Sequence, residues 1–188
     1  EPIIITNNAT ISCYTKKETE SSKKVSAKYY KIDNTKSIKI NSSYANQYAA
    51  AGDKTLIDHL RGGENYRTGN WQGYRENLNA VVDLGKEKKI SAISLGCIQD
   101  IKSWIFFPKK VEYFISSNGI DFTFLDSINT SFADNIEGSF IENYTLRISN
   151  TTKARYVKVK AENYGICPEW HLGAGGKTWL FVDELKIN

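Results

Sequence analysis

The sequence predicts an all-β sandwich or barrel, and three observations carry that prediction. Short β-prone runs follow one another along the chain, divided by Gly, Asn, Ser and Pro turn signals. Almost no stretch shows the 3.6-residue apolar period of a long amphipathic helix. Finally, VEYFISSNGIDFTFL (111–125) sets two β-prone arms on either side of Asn118-Gly119, the dipeptide that favours the positive backbone angles of a type I′ hairpin turn. With 188 residues, 40% of them hydrophobic, the chain can build one well-formed core, or one domain with a small appendage.

Taken in order, PIIIT and ATISCY read as one or two short strands before the polar segment KKETESSKK, an exposed turn or linker. VSAKYYKI is a further β-prone run. In SIKI, Ile38 and Ile40 alternate with polar residues as a strand with one buried face requires. SYANQYAAAGDKTLIDHLRGG changes character: it is Ala-rich and helix-compatible, then breaks at Gly62-Gly63, which predicts a short helix or helical turn and a tight loop. AVVDLG is a strand running into a turn at Gly85, and ISAISLGCI is an alternating strand with Ile90, Ile93 and Leu95 as core candidates. The loop QDIKSWIFFP carries Gln99, Asp100 and Trp104, and SFIENYTLRIS and ARYVKVKA supply further strands.

The stretch 163–187, NYGICPEWHLGAGGKTWLFVDELKI, concentrates Cys167, Trp170, His171 and Trp179 in a Gly-rich loop between the strands RYVKVKA and WLFVDELKI. Trp170 and His171 offer an apolar face with a polar tip, which suits a small polar ligand. A rim that merely caps the end of a sandwich is the competing interpretation.

Charge excludes some functions. The 25 basic and 21 acidic residues leave a formal charge of +4, with lysines in scattered pairs such as Lys16-Lys17 and Lys88-Lys89, a solvated surface and no nucleic-acid footprint. No apolar run reaches the length of a membrane span. The chain opens at Glu1 and holds no methionine, as expected of a processed product or a piece cut from a longer protein. Three cysteines, Cys13, Cys97 and Cys167, form neither a disulfide framework nor a metal knuckle, although Cys97 and Cys167 could meet across a sandwich. His59 and His171 are the only histidines, and neither lies in a nucleophile-elbow or protease-like signature. A zinc ion shared by Cys167 and His171 lacks a second ligand pair. Nothing in these patterns points to a catalyst.

Several of these strings recur together in one superfamily. AVVDLG, the hairpin EYFISSNGIDF, ARYVKV and a last strand containing DEL resemble the coagulation factor 5/8 type C (discoidin) domain, whose superfamily includes carbohydrate-binding module family 32. The resemblance covers residues 38–188 and leaves 1–37 as an N-terminal extension with one or two short strands, a possible remnant of a preceding domain. QYAAAGDKTLIDHLRGG, NWQGY, QD…WIFFP and CPEWHLGAGGKTWLFVDEL are similar to the discoidin-type module at the C-terminus of bacterial family 20 glycoside hydrolases, the β-N-acetylhexosaminidases. The catalytic barrel of those enzymes is not in this chain, so no catalytic activity transfers. His59 departs from the LIDG pattern, where glycine is common.

The resemblance implies a jelly-roll sandwich of two antiparallel sheets with ligands at loops on one end. It implies a secreted, periplasmic or cell-surface setting, a glycan ligand and an upstream catalytic domain. It further implies a structural calcium held by the side chains of Asp58 and Glu184 and by carbonyls such as those of Leu56 and Arg61. Without the family, Asp58 reads as a helix cap or turn residue. Sugar contacts would come from Trp104, Trp170 and His171, with Gln99, Asp100, Tyr74 and Arg75 as polar or flanking groups; Trp71 and Trp179, beside strand-like runs, are assigned to the core. The alternative is a structural or protein-docking discoidin domain whose loop aromatics pack on one another.

Overall fold

A computed structural model describes residues 2–188, the side chain of Thr151 excepted. The chain divides into two compact units, Glu1–Asp33 and Asn34–Asn188.

The first unit consists of two small antiparallel pairs, β1 (Ala9–Cys13) with β4 (Val25–Tyr29) and β2 (Lys16–Lys17) with β3 (Glu20–Ser21). All of β4 is exposed. Among the described residues none of the buried core belongs to this unit. The PIIIT run forms no strand, because β-branched residues need a partner strand to pack against.

The second unit holds β5 (Ser37–Ile40), β6 (Gln72–Tyr74), β7 (Leu78–Asp100), β8 (Lys110–Ser116), β9 (Thr123–Asn129), β10 (Ser139–Ala161) and β11 (Leu180–Ile187). Its strands pair antiparallel in the order β6-β11-β7-β10-β8-β9, with β5 also on β7. The sandwich is one hydrogen-bonded sheet folded over. Strands β7 and β10 each run 23 residues. Straight, each would extend about 76 Å, far beyond a domain whose radius of gyration is about 15 Å. Both therefore bend and serve two layers. Leu78–Leu84 and Ala154–Ala161 join β5, β8 and β9, while Ala92–Asp100 and Ser139–Arg147 join β11 and β6. Register breaks between Arg147 and Thr152 and between Ala154 and Tyr156 mark the corner on β10.

On β7 the corner is Gly85. The sequence predicts a turn there, but the strand continues past it. Gly85 has φ +77° and a side chain would meet the Thr35 carbonyl at 2.6 Å, so glycine lets the strand bend where any other residue would clash. The predicted hairpin at Asn118-Gly119 is present with a wider loop than a two-residue turn. The Asn118 side-chain oxygen accepts the N–H groups of Ile120 and Asp121, both at 2.9 Å, and spreads the reversal over 117–122. The predicted helical segment appears as short 3-10 turns, Asn46–Tyr48 and Gly52–Ile57.

The main core lies between the layers and includes Leu78, Val82, Leu95, Tyr113, Val159 and Val182. A smaller aromatic cluster of Tyr66, Trp71, Trp179 and Phe181 closes one flank, so Trp71 and Trp179 are core residues as their strand positions imply.

Candidate functional site

At one end of the second unit the loop after β7 meets the long loop between β10 and β11. The latter is folded on itself: Cys167 N–H donates to the Gly176 carbonyl at 2.8 Å and Gly175 N–H to the Cys167 carbonyl at 3.1 Å. His171 is its internal strut. Gly173 N–H donates to Nδ1 at 2.9 Å, which places the proton on Nε2, and that nitrogen donates to the Ile101 carbonyl at 2.7 Å. Buried and spoken for at both nitrogens, His171 ties the two loops together and has no polar tip left for a ligand.

Trp104 ends a 3-10 turn (Ile101–Ser103) with φ +64°, a left-handed conformation that costs a bulky L-residue energy. Its N–H donates to Ile101 and its carbonyl accepts from Trp179, which fixes the backbone. One face of its indole lies on Gly173 and Gly176; a side chain at Gly173 would come within 2.5 Å of the ring. The small residues of the Gly-rich loop are thus the seat of a tryptophan. Trp104 remains 36% exposed and Trp170 50% exposed, forming a rim with Ile166 and Leu172 outside it.

Beside the rim is a cleft of about 360 Å³, walled by Tyr164, Lys109, Asp134, Thr130 and Pro108, with Gln99 at its floor. Phe106 links the two features, its ring 4.6 Å from that of Tyr164 and 6.3 Å from that of Trp170. Tyr164 donates to Asp134 at 2.5 Å, and burial, then the bond and charge of Asp134, push its hydroxyl up to about 12. The Lys109 ammonium stands 5.8 Å from the Tyr164 ring. The cleft therefore offers a cation, a carboxylate and an aromatic edge side by side.

Not every predicted contact reaches solvent. Gln99 is buried, and its amide donates to the Ala133 carbonyl and accepts from Phe107 N–H, so it anchors loops rather than reading a ligand. Tyr74 is fully buried, its hydroxyl donating to Gln72. Asp100 accepts from the Ser103 hydroxyl at 3.2 Å at the base of the Trp104 turn. Arg75 is exposed, its guanidinium 4.1 Å over the Trp179 ring. Lys109 and Asp134 carry no sequence signal; Tyr164 lies inside the stretch singled out above, but nothing there distinguishes it.

The second predicted constellation lies along β11. Glu184 lies on β11, five residues along the chain from Trp179. Asp58 and Glu184, far apart in sequence, do come together: His59 N–H donates to Glu184 at 2.9 Å, and its Nδ1 is 3.5 Å from the other carboxylate oxygen. His59 has φ +66°, the left-handed conformation in which glycine is the easy residue. Burial first, then Asp58 and Asp183, push Glu184 up to about 8 against the His59 N–H bond. Burial and Asp183 also raise Asp58. Asp183 is held by Arg61 at 2.8 Å and by Gly62 N–H at 2.9 Å.

Asp58, Asp183 and Glu184 thus lie close to one another, with Arg61 on Asp183 and Lys186 and His59 also acting on the group. The Asp58 and Glu184 side chains are oxygen donors of the kind a hard cation takes, and the Arg61 carbonyl accepts from the Asn70 amide at 3.4 Å. Among the described residues no group of three or more His, Cys, Asp and Glu is arranged to hold a metal, so carbonyls would have to complete such a set. Cys97 and Cys167 are buried free thiols, and Cys13 is an exposed one.

The family model of the F5/8 type C domain matches residues 37–175. The chain belongs to the F5/8 type C domain family. Solved structures agree at the level of the fold. A family 32 carbohydrate-binding module of Clostridium perfringens NanJ, in complex with galactose, superposes with a TM-score of 0.52 at 16% identity, covering 83% of this chain and 95% of that one. A second C. perfringens module, CpGH89CBM32-5, in complex with GalNAc-β-1,3-galactose, gives 0.51 at 18%, covering 83% and 96%. A fucolectin from striped bass (Morone saxatilis) serum gives 0.53 at 18%, covering 81% and 46%. No curated protein matches the sequence significantly. Such identities speak to the discoidin jelly roll alone. Among the described residues no helix is long and apolar enough to cross a membrane.

Proposed function

We propose that the F5/8 type C unit is a non-catalytic carbohydrate-binding module that takes galactose- or N-acetylhexosamine-type glycans at the rim and cleft of its loop end. The observation that carries this reading is Trp104 and Trp170, held half-exposed beside a small cleft lined by Lys109, Asp134 and Tyr164. An indole face accepts the C–H face of a pyranose, and a few polar groups read its hydroxyls. The fold shared with modules whose structures contain galactose or GalNAc-β-1,3-galactose supports the same ligand class. In this reading the module is the accessory domain of a secreted, periplasmic or cell-surface glycoside hydrolase, a β-N-acetylhexosaminidase of family 20, with the upstream catalytic domain as its partner in the chain. A structural calcium held by Asp58, Glu184 and the Leu56 and Arg61 carbonyls would staple the 52–61 segment to β11.

Calorimetric titration tests the ligand class. Galactose, N-acetylgalactosamine or N-acetylglucosamine at millimolar concentration gives a saturable heat that Trp170→Ala removes; flat heats with all three overturn the reading.

A protein-docking role has one observation in its favour: Leu172 is fully exposed and Ile166 is 52% exposed next to the tryptophans. That role predicts that Leu172→Ser loosens contact with the catalytic domain in the full-length protein, seen as faster proteolysis, while sugar heats are unchanged.

A further inference from the structure

A different face of the second unit carries its own chemistry. In the layer formed by β5, the first half of β7, the second half of β10 and β8, side chains alternate between core and outside. The register lays the outward residues in rows. Lys39, Val81, Lys158 and Phe114 form one row and Asn79, Lys160 and Glu112 the next, with Asp83 and Tyr156 before them. Two adjoining grooves of about 460 Å³ each occupy this face and share Asn79 as a common wall.

Two features of this face are unspent. The Asn79 side-chain oxygen is shielded from solvent and, among the described residues, has no hydrogen-bond partner, which is costly for an acceptor. Charge is also unbalanced. Asp83 is taken up by a two-pronged bond to Arg155, both contacts at 2.8 Å, and Glu112 by Lys110 at 2.8 Å. Lys158 and Lys160, by contrast, have no carboxylate partner among the described residues. Lys158 instead stands 3.6 Å from the Phe122 ring centre and 5.5 Å from that of Phe114, and Lys160 stands 5.4 Å from Phe114. Lys39 is exposed on the same row. Glu162, at the far end beside Lys110, is the one other acid lining the grooves.

We infer that this sheet face is a second binding site, separate from the loop end, for an extended acidic saccharide. A carboxylate of the ligand sits between Lys158 and Lys160, with Lys39 receiving the next charge. The lining favours a saccharide. It is rich in amides and hydroxyls (Asn41, Asn77, Asn79, Ser37, Tyr156), and it lacks a deep apolar pocket for a peptide anchor or acyl chain. Lys158 is held below the usual lysine range by burial and by Lys160, so a bound anion relieves strain already present.

The test uses the full chain, ¹⁵N-labelled, titrated with an unsulfated chondroitin tetrasaccharide and, separately, with the neutral lacto-N-tetraose. The acidic sugar is expected to move amide signals of β5, β7 and β10 around residues 39, 79, 158 and 160. Lys158→Gln/Lys160→Gln weakens it at least about tenfold, the loss of one charged hydrogen bond or more. Trp170→Ala leaves it unchanged, which keeps this site's outcome separate from that of the loop end. Signals that move only at the loop end, equal affinity of the neutral sugar read from the same sheet-face signals, an equal loss in the control Lys23→Gln/Lys24→Gln, or no binding at millimolar concentration each overturn the inference.

Discussion

Replacing Trp104 by alanine and by glycine separates packing from backbone strain at the rim. The side chain is 36% exposed. Burying about two-thirds of a tryptophan, with some 200 Å² of surface at roughly 25 cal/mol per Å², contributes about 3 kcal/mol. Both variants lose that. They differ in the backbone, because position 104 has φ +64°. A left-handed conformation costs an L-residue about 1–2 kcal/mol, and glycine escapes it. Glycine's greater freedom in the unfolded chain returns roughly 0.4–1 kcal/mol of that. Trp104→Gly is therefore expected to be more stable than Trp104→Ala by about 0.5–1 kcal/mol, reversing the order usual in strands and helices. Urea denaturation of both variants measures it. Both should unfold at lower urea than the parent, with the glycine variant the later of the two. An alanine variant equal to or more stable than the glycine one would refute a strained backbone beneath the indole.

Three further outcomes follow from the same geometry. Trp170→Ala, which removes a ring 50% exposed, costs about 2.5 kcal/mol of stability by the same area argument and weakens saccharide binding at least about tenfold by calorimetry. If calcium is held at Asp58 and Glu184, adding it at a hundred times its Kd stabilises by about 2.7 kcal/mol and raises Tm by about 5–11 °C; a chelator reverses the shift, and Glu184→Gln abolishes it. The Arg155 guanidinium beside Asp83 holds that carboxyl below the usual carboxylate range, so its contribution is present above the unfolded pKa and is lost as pH falls through the lower folded value; acid titration of Arg155→Gln should show a shallower loss of stability than the parent on the acid side.

Much of the fold is legible in the sequence because alternation along strands such as SIKI and KVEYFIS is set by burial on one face. The continuity of β7 and β10 is not. Gly85 reads as a turn because glycine permits a turn and a bend equally well, and only the Thr35 carbonyl pressing on it decides which. At the loop end the exposed tryptophans stand out from composition. The burial of Gln99, Tyr74 and His171 does not, since a polar residue near a loop has the same one-letter code whether it meets solvent or ties two loops together. Lys109 and Asp134 reach Tyr164 only through tertiary packing. Asp58 and Glu184 become neighbours through His59 across the fold, which only the family resemblance suggests.

The most direct test of the loop-end site watches the four indole N–H signals by NMR during titration with the sugar that gives heat. Trp71, whose N–H donates to the Gly63 carbonyl, and Trp179 are internal references in the core. The account predicts that the signals of Trp104 and Trp170 move together and saturate while those of Trp71 and Trp179 stay in place. Motionless rim indoles in a titration that saturates elsewhere would contradict it.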